Sequence, residues 1–269
     1  MCSSDLALIF AFNNEHTDYV GMAAWNAANI RRHLHIPVAI VTDATEHARM
    51  SEFDRVVAAK RESGGTRWFE DYQGRVTWYN AGRSDAFDLT PWDQTLVLDA
   101  DYVVASDQLK ILLDSDQDFL AHGQAFDLTG QDNFNGLNHY GEYNMPMSWA
   151  TVMMFRRCEH AELIFDSMKM IRNNWRHYKN LHKIASSTYR NDHALSIALN
   201  IVNGHTLQHK HIPWSLASVT PEHTLTRTAK DCYRIDYQDS DQRPRWITVK
   251  NQDFHAMGKR HLEKLIETH

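Results

Sequence analysis

The sequence predicts an α/β fold in which a mostly parallel central sheet is flanked by helices, and three observations carry that expectation. Short, continuously apolar runs such as Leu6 to Phe12 and Pro37 to Asp43 have the composition of strands buried on both faces. Helical patterns separate those runs, giving the β-α-β alternation that a parallel sheet requires. The 269 residues, 43% of them hydrophobic, are enough for one large α/β domain or two small ones. No repeat or Pro/Gly-rich linker divides them, so a single domain over residues 1–269 is expected.

Taken in order, Leu6 to Phe12 is the first strand and "NNEHTD" the loop after it. Asp18 is placed to cap a helix from Tyr19 to Leu34. Pro37 to Asp43 is a second strand, entered through proline, and Asp54 to Ala59 a third. Lys60 to Asn80 is polar with interspersed aromatics and reads as an excursion over the ligand-binding end of the sheet. A short helix around Gly82 to Asp88 leads into the apolar strand Thr95 to Leu98. Gln108 to Ser115 reads as a helix and Gln117 to His122 as a strand. Gln124 to Met147, with Gly130, Gly136 and Gly141, is a long loop of the kind that binds something. Trp149 to Phe155 resumes the sheet. Helices follow over Glu159 to Trp175 and from Asn191 or Asp192 to Val202. Short strands around Tyr233 to Tyr237 and Trp246 to Val249 precede a loop from Asp253 that runs into a terminal helix.

Composition excludes several classes. Twenty-eight basic against 34 acidic residues leave a formal charge of −6, which does not favour a nucleic-acid partner. No apolar run approaches the roughly 20 residues of a membrane span, and the opening "MCSSDLALIFAF" lacks a charged n-region. A soluble cytoplasmic protein without a membrane partner is expected. Cys2, Cys158 and Cys232 form no CxxC pair, so neither a disulfide framework nor a zinc ribbon is indicated. His209 and His211 have strand spacing that places both rings on one face, read as a solvated face. "RNNWRHYKNLHK", Arg172 to Lys183, gathers basic and aromatic residues and reads as a solvated helix face.

The chemistry concentrates in "LVLDADYVV". Asp99 and Asp101 follow an apolar strand at period two, so both carboxylates point the same way if the strand extends through them. At the carboxyl end of a central parallel strand they face the crevice where such sheets bind ligands. Two converging carboxylates repel, and a divalent cation is the usual remedy. A phosphatase of the haloacid dehalogenase type also ends a strand in D-x-D, with the first aspartate as nucleophile. That motif belongs in a first strand, however, and the later lysine and G-D-x-x-x-D elements are missing here. A solvated strand end is the third possibility. At the far end of the chain, "FHAMGKRH" supplies His255, whose imidazole beside two carboxylates suits Mn²⁺ or Mg²⁺, Gly258, which allows close backbone approach, and Lys259, a cation for a phosphate.

Together these segments resemble glycosyltransferase family 8, over most of the chain and in the same order. The resemblance implies the Rossmann-like GT-A fold, with residues 1–105 as a nucleotide-binding half and 106–269 as the acceptor and donor-sugar half. It implies transfer of a hexosyl or pentosyl group from a nucleotide sugar, most simply a UDP-sugar, to an acceptor hydroxyl with retention, assisted by Mn²⁺. On it, Ala11, Phe12, Asn13 and Tyr19 hold the nucleotide, Asp43 contacts the nucleoside, and Arg83 lies near the donor. Asp99, Ala100 and Asp101 form the metal motif, completed by His255, while Gly258 and Lys259 hold the diphosphate. Asp192 and His193, in "RNDHALSIAL", stand where the family's acidic helix meets the donor sugar and are the candidate catalytic residues. The chain departs from the family where it reads Trp149-Ala150-Thr151 for Asn-Ala-Gly, His193 for glutamine, and His261 where the lysine three residues after the glycine usually stands. The acceptor is left open among a glycan, a polyol, a protein side chain and a hydroxylated nucleobase. A non-catalytic carbohydrate- or nucleotide-binding relative is the alternative from another class.

Overall fold

The computed structural model describes residues 5–69, 72–132, 134 and 136–268; Cys2 lies outside them. Six strands form the central sheet, in the spatial order Arg55–Ala58, Val38–Thr42, Asp5–Phe10, Gln94–Asp99, Trp149–Arg156, Phe119–His122. The first four run parallel, and Trp149–Arg156 runs antiparallel to both of its neighbours. Residues Leu6–Phe10 and Val38–Thr42 are buried throughout, which is what continuous apolar strands achieve when both faces of a sheet are covered. Burying a side chain such as Ile9 or Leu98 stabilises the fold by about 1.5–3 kcal/mol. The buried cluster extends without a break from Leu6 to Leu265.

The first helix forms at its expected bounds, Tyr19–Leu34, for reasons local to the sequence. Asp18 accepts the Gly21 backbone N–H at 3.0 Å, and Arg31, Arg32 and His33 occupy the last turn, where cations suit the helix dipole. His35 then ends the helix in a left-handed conformation, φ 61°. Helices Glu159–Asn173 and Asn191–Val202 pack on each other, and the latter packs on the strand Trp149–Arg156.

Four further sheets among the described residues are less evident in the sequence, the smallest being the pair His139–Tyr140 and Met145–Pro146 within the long loop. Thr66–Phe69 and Gly74–Thr77 pair as a hairpin within the excursion from Lys60. Thr224–Ala229, Cys232–Gln238 and Pro244–Lys250 form a meander. A four-stranded sheet unites Tyr102–Val103, Phe254–Ala256, Leu216–Val219 and Ala125–Asp127. Its short strands lack the apolar length that marks a strand in sequence. That four-stranded sheet nevertheless positions the site, because it sets His255 directly opposite Tyr102.

His209 and His211 depart from expectation. They lie outside any strand, half-buried, with ring centroids 4.4 Å apart and near-perpendicular planes. A carbon added at Gly123 would press on the His211 ring, so the rings fill space beside the strand Phe119–His122.

Candidate metal centre and cleft

A cleft of about 340 Å³ opens at the carboxyl ends of the strands Asp5–Phe10 and Gln94–Asp99. The first strand contributes Phe10 and, just beyond it, Phe12; the hairpin contributes Arg67 and Phe69, followed by Trp78 and Tyr79. At the polar end stand Asp99, Asp101, His255 and Lys259. Asp192 and Arg190 come from the start of the helix Asn191–Val202, and Trp149 and Thr151 from the antiparallel strand.

The two aspartates converge by a route other than strand alternation. The strand ends at Asp99, and Ala100–Asp101 form a turn before Tyr102 resumes extended structure. Asp101 is then fixed from across the chain: its carbonyl accepts the Ala256 N–H at 2.9 Å. That bond draws in His255, whose Nε2 lies 3.4 Å from Asp101 Oδ2. One ligand atom from each of Asp99, Asp101 and His255 falls within 4.8 Å of the others. Such a spread fits three corners of a single ion's coordination sphere, and an O, O, N donor set suits Mn²⁺ or Mg²⁺. His255 Nδ1 is buried and has no partner among the described residues.

Each acid in the cleft is held by a cation. Arg83, itself buried, donates from one nitrogen to Asp99 and from another to the Ala150 carbonyl at 2.7 Å. Lys259 donates to Asp101 and reaches the Ala256 carbonyl at 3.3 Å. Asp192 accepts the Ala150 N–H on one oxygen and Arg190 on the other, both at 2.9 Å. Burial by itself would raise these carboxyl pKa values. For Asp101 the charges of Lys259 and His255 overcome it and hold the group well below the usual carboxylate range. For Asp192 the Arg190 charge and the Ala150 N–H outweigh burial and lower its pKa. In the opposite sense, burial lowers Arg83 to about 10 against the pull of Asp192 and Asp101. Burial raises the Tyr19 hydroxyl far above its ordinary value, with the Asp101 charge adding to it.

Of the residues singled out in the sequence, Phe12, Tyr19, Arg83, Asp99, Ala100, Asp101, Asp192, His255 and Lys259 line this cleft. Ala11 is fully buried beneath it. Asn13 instead braces the first helix, accepting the Val20 N–H at 2.9 Å, and Asp43 is held by Arg61. Gly258 precedes the terminal helix and packs on Pro221, where a side-chain carbon would sit 3.3 Å from the backbone. His193 is not among the residues lining the cleft; its ring is stacked on Trp175 at 5.9 Å and 8° and lies 5.8 Å from Tyr140. Burial, reinforced by the Arg190 charge, lowers its pKa to about 4, so the ring is neutral at pH 7. No described residue of the long loop Gln124 to Met147 lines the cleft, although Phe134 packs behind Trp149 at 6.3 Å. Arg67 and Arg190 reach the cleft without standing out in the sequence. In "TRWF" alternation leaves Arg67 and Phe69 less exposed than Thr66 and Trp68, but Trp68 lines the cleft as well, so the pattern is a weak signal for the first.

Among the described residues no helix is long and apolar enough to cross a membrane. No protein-family model matches the chain, and no curated protein matches it in sequence. Solved structures similar to it include the glycosyltransferase GlyE of Streptococcus pneumoniae TIGR4, with 14% identity, a TM-score of 0.46, and coverage of 77% of this chain and 45% of that one. The galactosyltransferase LgtC in complex with donor and acceptor sugar analogues shows 14% identity and a TM-score of 0.46 over 72% of this chain and 70% of its own. Mouse xyloside xylosyltransferase 1 shows 11% identity and a TM-score of 0.44 over 75% and 83%. The chain thus spans less than half the length of GlyE.

Proposed function

We propose that this protein is a metal-dependent glycosyltransferase of GT-A type that moves a sugar from a UDP-sugar to an acceptor hydroxyl with retention. The observation that carries the reading is the convergence of Asp99, Asp101 and His255 at the polar end of a cleft that also holds Arg83 and Lys259. Asp99, Asp101 and His255 would hold the divalent cation, Mn²⁺ or Mg²⁺, which supplies Lewis-acid charge against the donor diphosphate. Lys259 and Arg83 add fixed positive charge where the leaving UDP becomes more negative. Phe12 and Tyr19 offer apolar faces to the nucleoside.

Asp192 lies on the same cleft, at the start of its helix. Both of its oxygens are engaged, one by Ala150 N–H and one by Arg190. A carboxylate so restrained is a weak nucleophile, so we assign it to orienting the sugar and stabilising positive charge at the anomeric carbon. The acceptor then attacks the face from which UDP departs. His193, neutral and stacked on Trp175, supports the helix that presents Asp192. The reading takes the chain as one cytoplasmic domain whose residues 1–105 bind nucleotide and whose remainder binds donor sugar and acceptor.

Thermal-shift screening of nucleotide sugars with and without Mn²⁺ tests it. A rise in melting temperature for UDP-sugars only when Mn²⁺ is present supports the reading, and a flat response to every nucleotide contradicts it. Binding without release of UDP in the presence of acceptors identifies a non-catalytic relative instead.

A further inference from the structure

Among the described residues, the cleft lining holds four cations, Arg67, Arg83, Arg190 and Lys259, against three carboxylates, Asp99, Asp101 and Asp192. Arg83 sits on Asp99, Lys259 on Asp101, and Arg190 on Asp192. The fourth cation of the lining, Arg67, has no carboxylate within salt-bridge distance among the described residues. Its guanidinium lies over the Trp78 ring, 3.6 Å from the centroid, and donates to the Tyr189 carbonyl at 2.9 Å. Its Nε is buried and lacks an acceptor among the described residues. Burial, with the Arg190 charge as second cause, lowers its pKa to about 9, the direction expected of a cation short of counter-charge.

A buried charge is unfavourable unless an opposite charge reaches it. The metal and the diphosphate do not meet that need, because a divalent cation and an ionised diphosphate diester bring roughly equal and opposite charge. Their joint arrival leaves the excess on Arg67. Arg67 is borne by the hairpin, not by the segments that carry Asp99, Asp101 and His255, and it feels the charges of Arg190, Asp192, Tyr19 and Arg83. A planar guanidinium with a free N–H suits bidentate capture of a carboxylate or phosphate.

We propose that Arg67 binds an oxyanion, a carboxylate or a phosphate, carried by the transferred sugar or by the acceptor and distinct from the donor diphosphate. The inference rests on the nucleotide-sugar reading above and names a property of its substrates: one of them is acidic.

Calorimetric titration in Mn²⁺ tests it, on the protein and on Arg67→Met, which keeps an apolar stem against Trp78. The donor arm compares UDP-glucuronic acid with UDP-glucose. The acceptor arm compares glucose 6-phosphate with glucose on UDP-saturated protein. The expected result is a preference of about tenfold or more for the acidic member of one pair, lost in Arg67→Met while UDP itself binds within about twofold of normal. Which pair shows it identifies the source of the oxyanion. Should Arg67→Met fail to fold, Arg67→Lys, which keeps charge without the fork, is expected to reduce the preference. Equal binding within both pairs overturns the proposal, and so does a preference that survives the substitution. Loss of UDP affinity in the variant equal to the loss for the acidic ligand also overturns it, because Arg67 then serves the diphosphate. If UDP fails to bind at all with Mn²⁺, the nucleotide-sugar reading falls and this inference with it.

Discussion

Two groups of buried titratable side chains treat charge in opposite ways. In the cleft, Asp99, Asp101 and Asp192 each face a cation, and Asp101 and Asp192 stay ionised despite burial. Across the antiparallel edge, His122, His209 and His211 are buried or half-buried near one another, without a carboxylate partner among the described residues. Burial, the largest cause, lowers His122 and His209 to about 4, and His211 also falls. The first group keeps its charges by pairing with cations, which on the proposed reading also meet the donor diphosphate. The second abandons its charge and fills space. Burial alone therefore marks neither site; what differs is whether opposite charges were packed alongside.

The comparison can be broken or sharpened experimentally, starting with the largest effect. Asp101→Ala removes a proposed metal-holding carboxylate and the ion-pair partner of Lys259, and UDP release from a UDP-sugar should fall by about a thousandfold. A rate within tenfold of normal removes Asp101 from the mechanism. Asp192→Asn keeps the shape but loses the charge, and about a hundredfold loss in turnover is expected at little change in UDP affinity. A change confined to affinity contradicts the assignment to the reacting carbon.

The histidine group is tested through pH. A histidine depressed in the folded state stabilises the fold above its unfolded pKa of about 6.5, and that contribution is lost as pH falls toward the folded value. For His122, lowered to about 4, the full contribution is on the order of 3 kcal/mol. Urea unfolding should show stability falling between about pH 6.5 and pH 4, and His122→Gln should flatten the fall. An unchanged slope in the variant means that another group is responsible. The smallest effect is reserved for His193→Gln. With its ring on Trp175 outside the cleft lining, turnover should change by less than about tenfold, roughly the cost of one lost ring contact. A hundredfold loss would return His193 to the chemistry.

The sequence made the central sheet and the first helix legible because their signals are local. Continuous apolar runs, Asp18 as a cap and cations in the last turn all act within one element. The candidate metal residues were legible for a chemical reason: two carboxylates after an apolar strand suggest a cation, and the distant His-Gly-Lys segment offers a third ligand and a phosphate-binding charge. Their geometry was not. Asp99 and Asp101 converge through a turn, and His255 arrives through pairing of Tyr102–Val103 with Phe254–Ala256. Strands of two or three residues leave almost no periodic trace, so the element that builds the site was the least visible one. Arg67 was hidden for a related reason: its significance lies in the pairing of the other three cations, a property of the assembled cleft.

The measurement closest to the central claim is equilibrium binding of UDP to the protein, first with Mn²⁺ and then after chelation by EDTA, repeated on Asp101→Ala. The account predicts binding that needs the metal and is lost in the variant at every Mn²⁺ concentration that saturates the unaltered protein. UDP affinity that ignores both EDTA and the substitution would contradict it.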